Sequence, residues 1–311
     1  MEKQSSEAFD RACAAIETHG RPLERALLAQ RFRNEPIDRV LEELSAYQNV
    51  DGGFGYALEP DVRTPESSAL ATAIGLRVLR ELGCDAEHPM VADAIEYILR
   101  SHDPVAGVWR PVPEGANEFP HAPWWHDEDG SLAETFGDFA IIPRASILAS
   151  LYHYRSIVPA DWLAEIGERT INCLETADVL GSGGGSDLEY AIDLASVDGL
   201  PDPFRERLEA RILRSIPDVV VQDPDRWTEY CLTPLRAAPS PDSIGAELID
   251  EALQEHLDFV VETQSEEGSW DPTWSWGDAY PESWDEARRE WQGILTLETL
   301  TSLRVFGRLE T

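Results

Sequence analysis

The run Tyr47-Gln48-Asn49-Val50-Asp51-Gly52-Gly53-Phe54-Gly55 has a counterpart near the other end of the chain, Thr263-Gln264-Ser265-Glu266-Glu267-Gly268-Ser269-Trp270. Both read Gln-x-x-x-Gly-x-aromatic. A looser third copy, Ser101-His102-Asp103-Pro104-Val105-Ala106-Gly107-Val108-Trp109, has histidine in place of glutamine and one extra residue before the glycine. A motif that recurs in this way marks a repeated structural unit.

The flanks of the three copies are also alike. Upstream, Ile37, Val40, Leu41, Leu44 and Tyr47 fall at helical spacing, as do Val91, Ala94, Ile95 and Ile98, and Leu253, Leu257, Val260 and Val261. Downstream come a polar loop and a segment that is small or apolar around most of its circumference, at 68–79, 145–152 and 293–300. Such a segment is a helix buried on most sides. The unit is therefore an amphipathic outer helix, a Gln-Gly-aromatic turn, a loop and a buried inner helix. The glycine ends the outer helix with a positive φ. The glutamine can bond backbone left open at that end, and the aromatic ring is expected to pack into the next pair.

Aromatic positions 54, 109 and 270 leave room for two degenerate units, around 161–197 and 203–237. With a pair near 7–18 and 22–32 the total is about six, enough to close a ring. The expected fold is all-α, an α/α toroid in one domain over 1–311. The tract Gly181-Ser182-Gly183-Gly184-Gly185 follows no predicted strand, so it reads as an inter-helix loop and not as a phosphate cradle.

Among 311 residues, 59 are acidic and 25 basic, a formal net charge of −34, and Lys3 is the one lysine. That charge repels nucleic acid and anionic membranes. It suits either an acidic substrate-handling surface or a high-salt cytoplasm. Hydrophobic residues make up 42%, enough for a core. No apolar run reaches the roughly 18 residues of a membrane span, and the N-terminal sequence does not resemble a signal peptide. A cytoplasmic protein is expected. Cys13, Cys84, Cys173 and Cys231 form no CxxC pair and read as reduced thiols.

The Gln-x-x-x-Gly-x-Trp pattern resembles the QW repeat of squalene–hopene-type terpene cyclases. Asp51-Gly52-Gly53-Phe54-Gly55 is similar to a turn of protein prenyltransferase β subunits. The resemblance implies a toroid whose inner helices line a central cavity, and isoprenoid chemistry inside it. Class II cyclases carry a DxDD proton donor; this chain has none. The nearest strings are Asp127-Glu128-Asp129-Gly130 and Glu59-Pro60-Asp61 with Glu66, the latter ahead of an inner helix as the family would have it. Prenyltransferases hold zinc with Asp, Cys and His, but Trp227-Thr228-Glu229-Tyr230-Cys231-Leu232 lacks the histidine.

Three loops precede inner helices and concentrate candidate residues: 56–67, 119–129 and 270–284. Glu59, Asp61, Glu66, Asp127 and Asp129 are the candidate catalytic acids. Tyr56, Arg63, His121, Trp124, Trp125, His126, Trp270, Trp274, Trp276, Glu282 and Trp284 are the candidate substrate-binding residues. A desolvated carboxyl can protonate an alkene or epoxide, and aromatic faces stabilise the resulting cation. The same groups suit a glycan-active toroid, since indoles stack on sugars and paired acids cleave glycosidic bonds. A third reading is a non-catalytic scaffold that binds a partner. Glu66 and Glu282, each in a Pro-Glu-Ser string, could instead serve a helix N-terminus. His121, His126, Asp127 and Asp129 could hold a metal or lie in a plain surface loop. A diphosphate substrate would need carboxylate-bound Mg²⁺ for want of cations; a neutral isoprenoid would not.

Overall fold

The structure is a computed structural model that describes residues 2–310, Ser182 by its backbone alone. It is all-helical. Among the described residues only isolated bridges, and no strands, accompany the helices. In chain order the α-helices are α1 Ser6–His19, α2 Pro22–Arg33, α3 Asp38–Ser45, α4 Ala69–Glu81, α5 Pro89–Ser101, α6 Ser131–Thr135, α7 Arg144–His153, α8 Ala160–Thr176, α9 Ser182–Ser196, α10 Asp202–Val219, α11 Pro234–Ala237, α12 Asp250–Glu262 and α13 Pro281–Val305. Helices stand on both sides of each of the three motif turns, as the flanking sequence predicts. The N-terminal pair is α1 and α2. Where the two degenerate units were expected, the chain forms α8, α9, α10 and the single-turn α11.

The contacts divide the chain into two compact units, Ser45–Ser215 and Met1–Leu44 with Ile216–Thr311. In the first, α7 packs between α4 and α9, α5 lies on α4, and α8 lies on α7. Every α7 residue from Arg144 to Tyr152 is buried, which is why its sequence shows no polar face. In the second unit, α13 packs on α1 and α2, and α11 on α12. The glycine tract enters α9 with Gly183, Gly184 and Gly185 all at positive φ, a path that side-chain-bearing residues rarely follow.

The two clear motif turns have the same internal anatomy. Gln48 Nε2 donates to the Gly52 carbonyl and to the Met90 carbonyl on α5, both at 3.0 Å. Gln264 Nε2 donates to Gly268 at 2.8 Å and to Ala8 on α1 at 2.9 Å. The Phe54 amide donates to Thr72 Oγ1 at 2.9 Å, and the Trp270 amide to Thr296 Oγ1 at 3.2 Å; both threonines are fully buried on inner helices. Each glutamine thus ties its turn to the start of another helix, α5 or α1, while the aromatic residue's backbone is tied to the helix that follows the turn, α4 or α13.

At the looser turn, His102 takes the glutamine's place against the Gly107 backbone, and its Nε2 is buried without a partner. Burial holds this ring's pKa below the ordinary value. Trp109 packs tilted against His102 and edge-on to Trp162 of α8, as expected of a ring reaching the next pair. Phe54 behaves differently. Its ring lies on Gly75 of α4, where an added Cβ would come within 2.8 Å of it, so it packs on the inner helix of its own pair.

Candidate functional site

Two of the three candidate loops, 56–67 and 119–129, meet within the Ser45–Ser215 unit. The Arg63 amide donates to the Pro120 carbonyl at 3.0 Å and the Ala122 amide to Asp61 at 2.8 Å, which sets Val62 opposite His121 in an antiparallel bridge. Side chains alternate across such a pair. The register therefore assigns Val62 and His121 to one face, and Asp61 and Arg63 to the other.

The 56–67 loop is held tightly. Gly55 donates to Tyr47, and Tyr56 donates to Thr64 across the loop mouth at 3.1 Å. Leu58, Asp61, Val62 and Thr64 are buried, while Tyr56 and Glu66 face solvent and Glu59 and Arg63 are half-buried. Tyr56 and Ala57 take φ values of 51° and 59° in succession. Two adjacent left-handed residues with side chains carry strain, and such strain persists only where the surrounding structure enforces it.

On the other strand of the bridge, His121 is 2% exposed. Its Nδ1 lies 2.6 Å from the Phe119 carbonyl, and its Nε2 lies 3.0 Å from Nδ1 of His126. The two rings are stacked, their centroids 5.2 Å apart. A carbonyl only accepts, so His121 Nδ1 carries a hydrogen. In the neutral ring Nε2 is then an acceptor, and His126 Nδ1 must be the donor. This chain of bonds fixes the His126 tautomer and leaves the lone pair on Nε2 of a solvent-exposed residue. The arrangement can accept a proton from outside and deliver it, through oriented rings, to a buried position.

Two of the remaining candidates in this loop, Asp127 and Trp125, have structural partners. Asp127 pairs with Arg110 and accepts from the Leu132 amide at 3.2 Å, fastening α6. Its backbone is bracketed by the Asn117 amide group. Asp129 is exposed at φ 53°. Trp125 is buried and stacked on Phe136 at 4.8 Å, with its Nε1 unpartnered, and Trp124 is half-buried. Arg110, Asn117 and Phe136 complete this neighbourhood, and nothing in the sequence singled them out.

The 270–284 loop belongs to the other unit. Trp270 is buried and donates from Nε1 to the Val260 carbonyl at 2.9 Å. Trp276 is buried with its ring 5.7 Å from that of half-buried Trp284. Trp274 meets Tyr230 and Trp291 edge-on. Glu282 is exposed in the first turn of α13. A groove of about 660 Å³ in this same unit is lined by Lys3, Glu247, Leu253, Gln254, Phe306 and Arg308, among others, and by no residue of the 270–284 loop. Among the described residues no three His, Cys, Asp or Glu side chains converge as a metal site, and no helix is long and apolar enough to cross a membrane.

Comparison with protein-family models finds none that matches the chain, and a search of curated proteins finds no match.

Proposed function

We propose that the helix pairs close into an α/α toroid and that the protein is an isoprenoid-handling enzyme acting by proton transfer, with its chemistry at the junction of the 56–67 and 119–129 loops. The observation that carries this reading is the bond chain from the Phe119 carbonyl through His121 to the open His126 ring. An imidazole oriented in this way can serve as a general base or acid. In a cyclisation, Asp61 or Glu59 would donate a proton to an alkene or epoxide. His126 Nε2 would take a proton from the final carbocation, restoring the count. The excess of acids over bases favours a neutral isoprenoid over a diphosphate. The matching turns at Gln48–Phe54 and Gln264–Trp270 support the toroid.

The test is incubation of the full chain in high salt with a linear polyene, with its terminal epoxide, and with a prenyl diphosphate plus Mg²⁺, followed by mass-spectrometric analysis of products. A cyclised neutral product that disappears in Asp61→Asn and in His126→Ala supports the reading. Absence of product and of binding with all three probes rejects it.

A non-catalytic scaffold is the second reading, favoured by Asp127 and Trp270, whose polar groups are occupied by Arg110, Leu132 and Val260. Retention of a protein partner by the His126→Ala variant, with no turnover in the parent, would favour it.

A further inference from the structure

Arg144 is the first residue of α7 and is 2% exposed. Its Nη1 donates to Cys173 Sγ at 3.8 Å; Nε and Nη2 are buried and meet no acceptor among the described residues. The other groups that act on it electrostatically are Cys173 and the cation Arg169, and His102 in turn feels both arginines. No carboxylate is among the groups acting on Arg144. In a chain of net charge −34, a buried guanidinium without an anion is anomalous, because an uncompensated buried charge is strongly unfavourable.

The two unpartnered atoms form one edge of the guanidinium. Elsewhere in this protein the same edge holds a carboxylate with both oxygens. Arg21 donates from Nε at 2.8 Å and from Nη2 at 2.7 Å to Glu24. Arg207 donates from Nε at 3.1 Å and from Nη2 at 2.7 Å to Glu175. This fork matches a planar two-oxygen anion in spacing and direction.

We propose that the Nε–Nη2 edge of Arg144 is a binding site for a small carboxylate, set between α7 and α8. Arg144 supplies the bidentate bond. Arg169 adds positive potential, and the Cys173 thiol lies at the opposite end of the guanidinium.

The test uses acetate and formate as probes on the full chain, at constant ionic strength, with chloride and phosphate as comparison anions. Thermal unfolding is followed against anion concentration, and binding of ¹³C-labelled acetate is followed by NMR line broadening. The expected result is a concentration-dependent rise in Tm with the carboxylates that is absent in Arg144→Met. Arg144→Lys, which keeps the charge and loses the fork, should bind acetate at least about tenfold more weakly, since one bidentate bond is lost. Equal responses of the parent and Arg144→Met, no response of the parent, or protection by chloride or phosphate alone would each overturn the proposal. If Arg144→Met does not fold, the Arg144→Lys comparison and the NMR titration of the parent decide it.

Discussion

Gln264 donates from Nε2 to the carbonyl of Ala8, 2.9 Å away and 256 residues earlier in the chain, while its Oε1 accepts from Gln4 Nε2. One amide therefore joins the C-terminal motif turn to the first helix, and Gln48 makes the equivalent bond to Met90.

Replacing either glutamine by leucine leaves backbone carbonyls short of a donor and inserts an apolar group among them. Gln264→Leu and Gln48→Leu should each destabilise by about 1–3 kcal/mol. Urea unfolding with an unchanged m-value would register this as a lower midpoint. A loss below about 0.3 kcal/mol in both would show that the bonds are incidental.

The turn glycines are held by close approach as well as by φ. A Cβ on Gly52 (φ +88°) would stand 2.3 Å from the Asp93 carbonyl oxygen, and one on Gly268 (φ +94°) would stand 2.4 Å from that of Arg11. Gly83 has φ +72° but open space around the added atom. Gly83→Ala should cost about 1–2 kcal/mol, the left-handed penalty alone. Gly52→Ala and Gly268→Ala should cost at least twice that, because backbone must move. Equal losses at all three sites, measured by thermal unfolding, would contradict the packing argument.

His256 is buried against Trp227 and Phe259, and burial pulls its pKa from 6.5 down to about 3. The folded state thus holds the neutral ring, whereas the unfolded chain binds a proton below pH 6.5. The His256 contribution is fully present above pH 6.5 and is lost as pH falls toward 3, with a slope approaching 1.4 kcal/mol per pH unit. His256→Phe should flatten that part of the stability-against-pH curve at fixed salt. An unchanged slope would place the titration elsewhere.

The histidine junction predicts a tautomer. With both rings neutral, ¹⁵N NMR should find His126 protonated at Nδ1 with a bare Nε2, and His121 likewise protonated at Nδ1. His121→Phe removes the acceptor and should release His126 to a tautomer mixture. A parent in which His126 carries its proton on Nε2 would refute the proposed bond direction.

Much of the fold was legible in the sequence because its signals are local. The positive φ of Gly52, Gly107 and Gly268 and the apolar spacing of the outer helices follow from residues a few positions apart. So does the all-round burial of α7. The candidate site was legible only as residue types in loops. That His121 is buried while His126 is open, and that Asp127 is engaged by Arg110 and α6, depends on which loop lies against which.

The sequence by itself determined an all-helical chain, the glycines its motif turns require and a strongly acidic composition, since periodicity, backbone sterics and charge count are properties of neighbouring residues. Only the tertiary structure decided the rest. It tied Gln264 to Ala8 and Gln48 to Met90, turned Phe54 onto its own inner helix, set Val62 opposite His121, and buried Arg144 with two donors unmet. Each of these depends on segments distant in sequence coming within hydrogen-bond or van der Waals range, where direction and desolvation, not residue type, set the outcome.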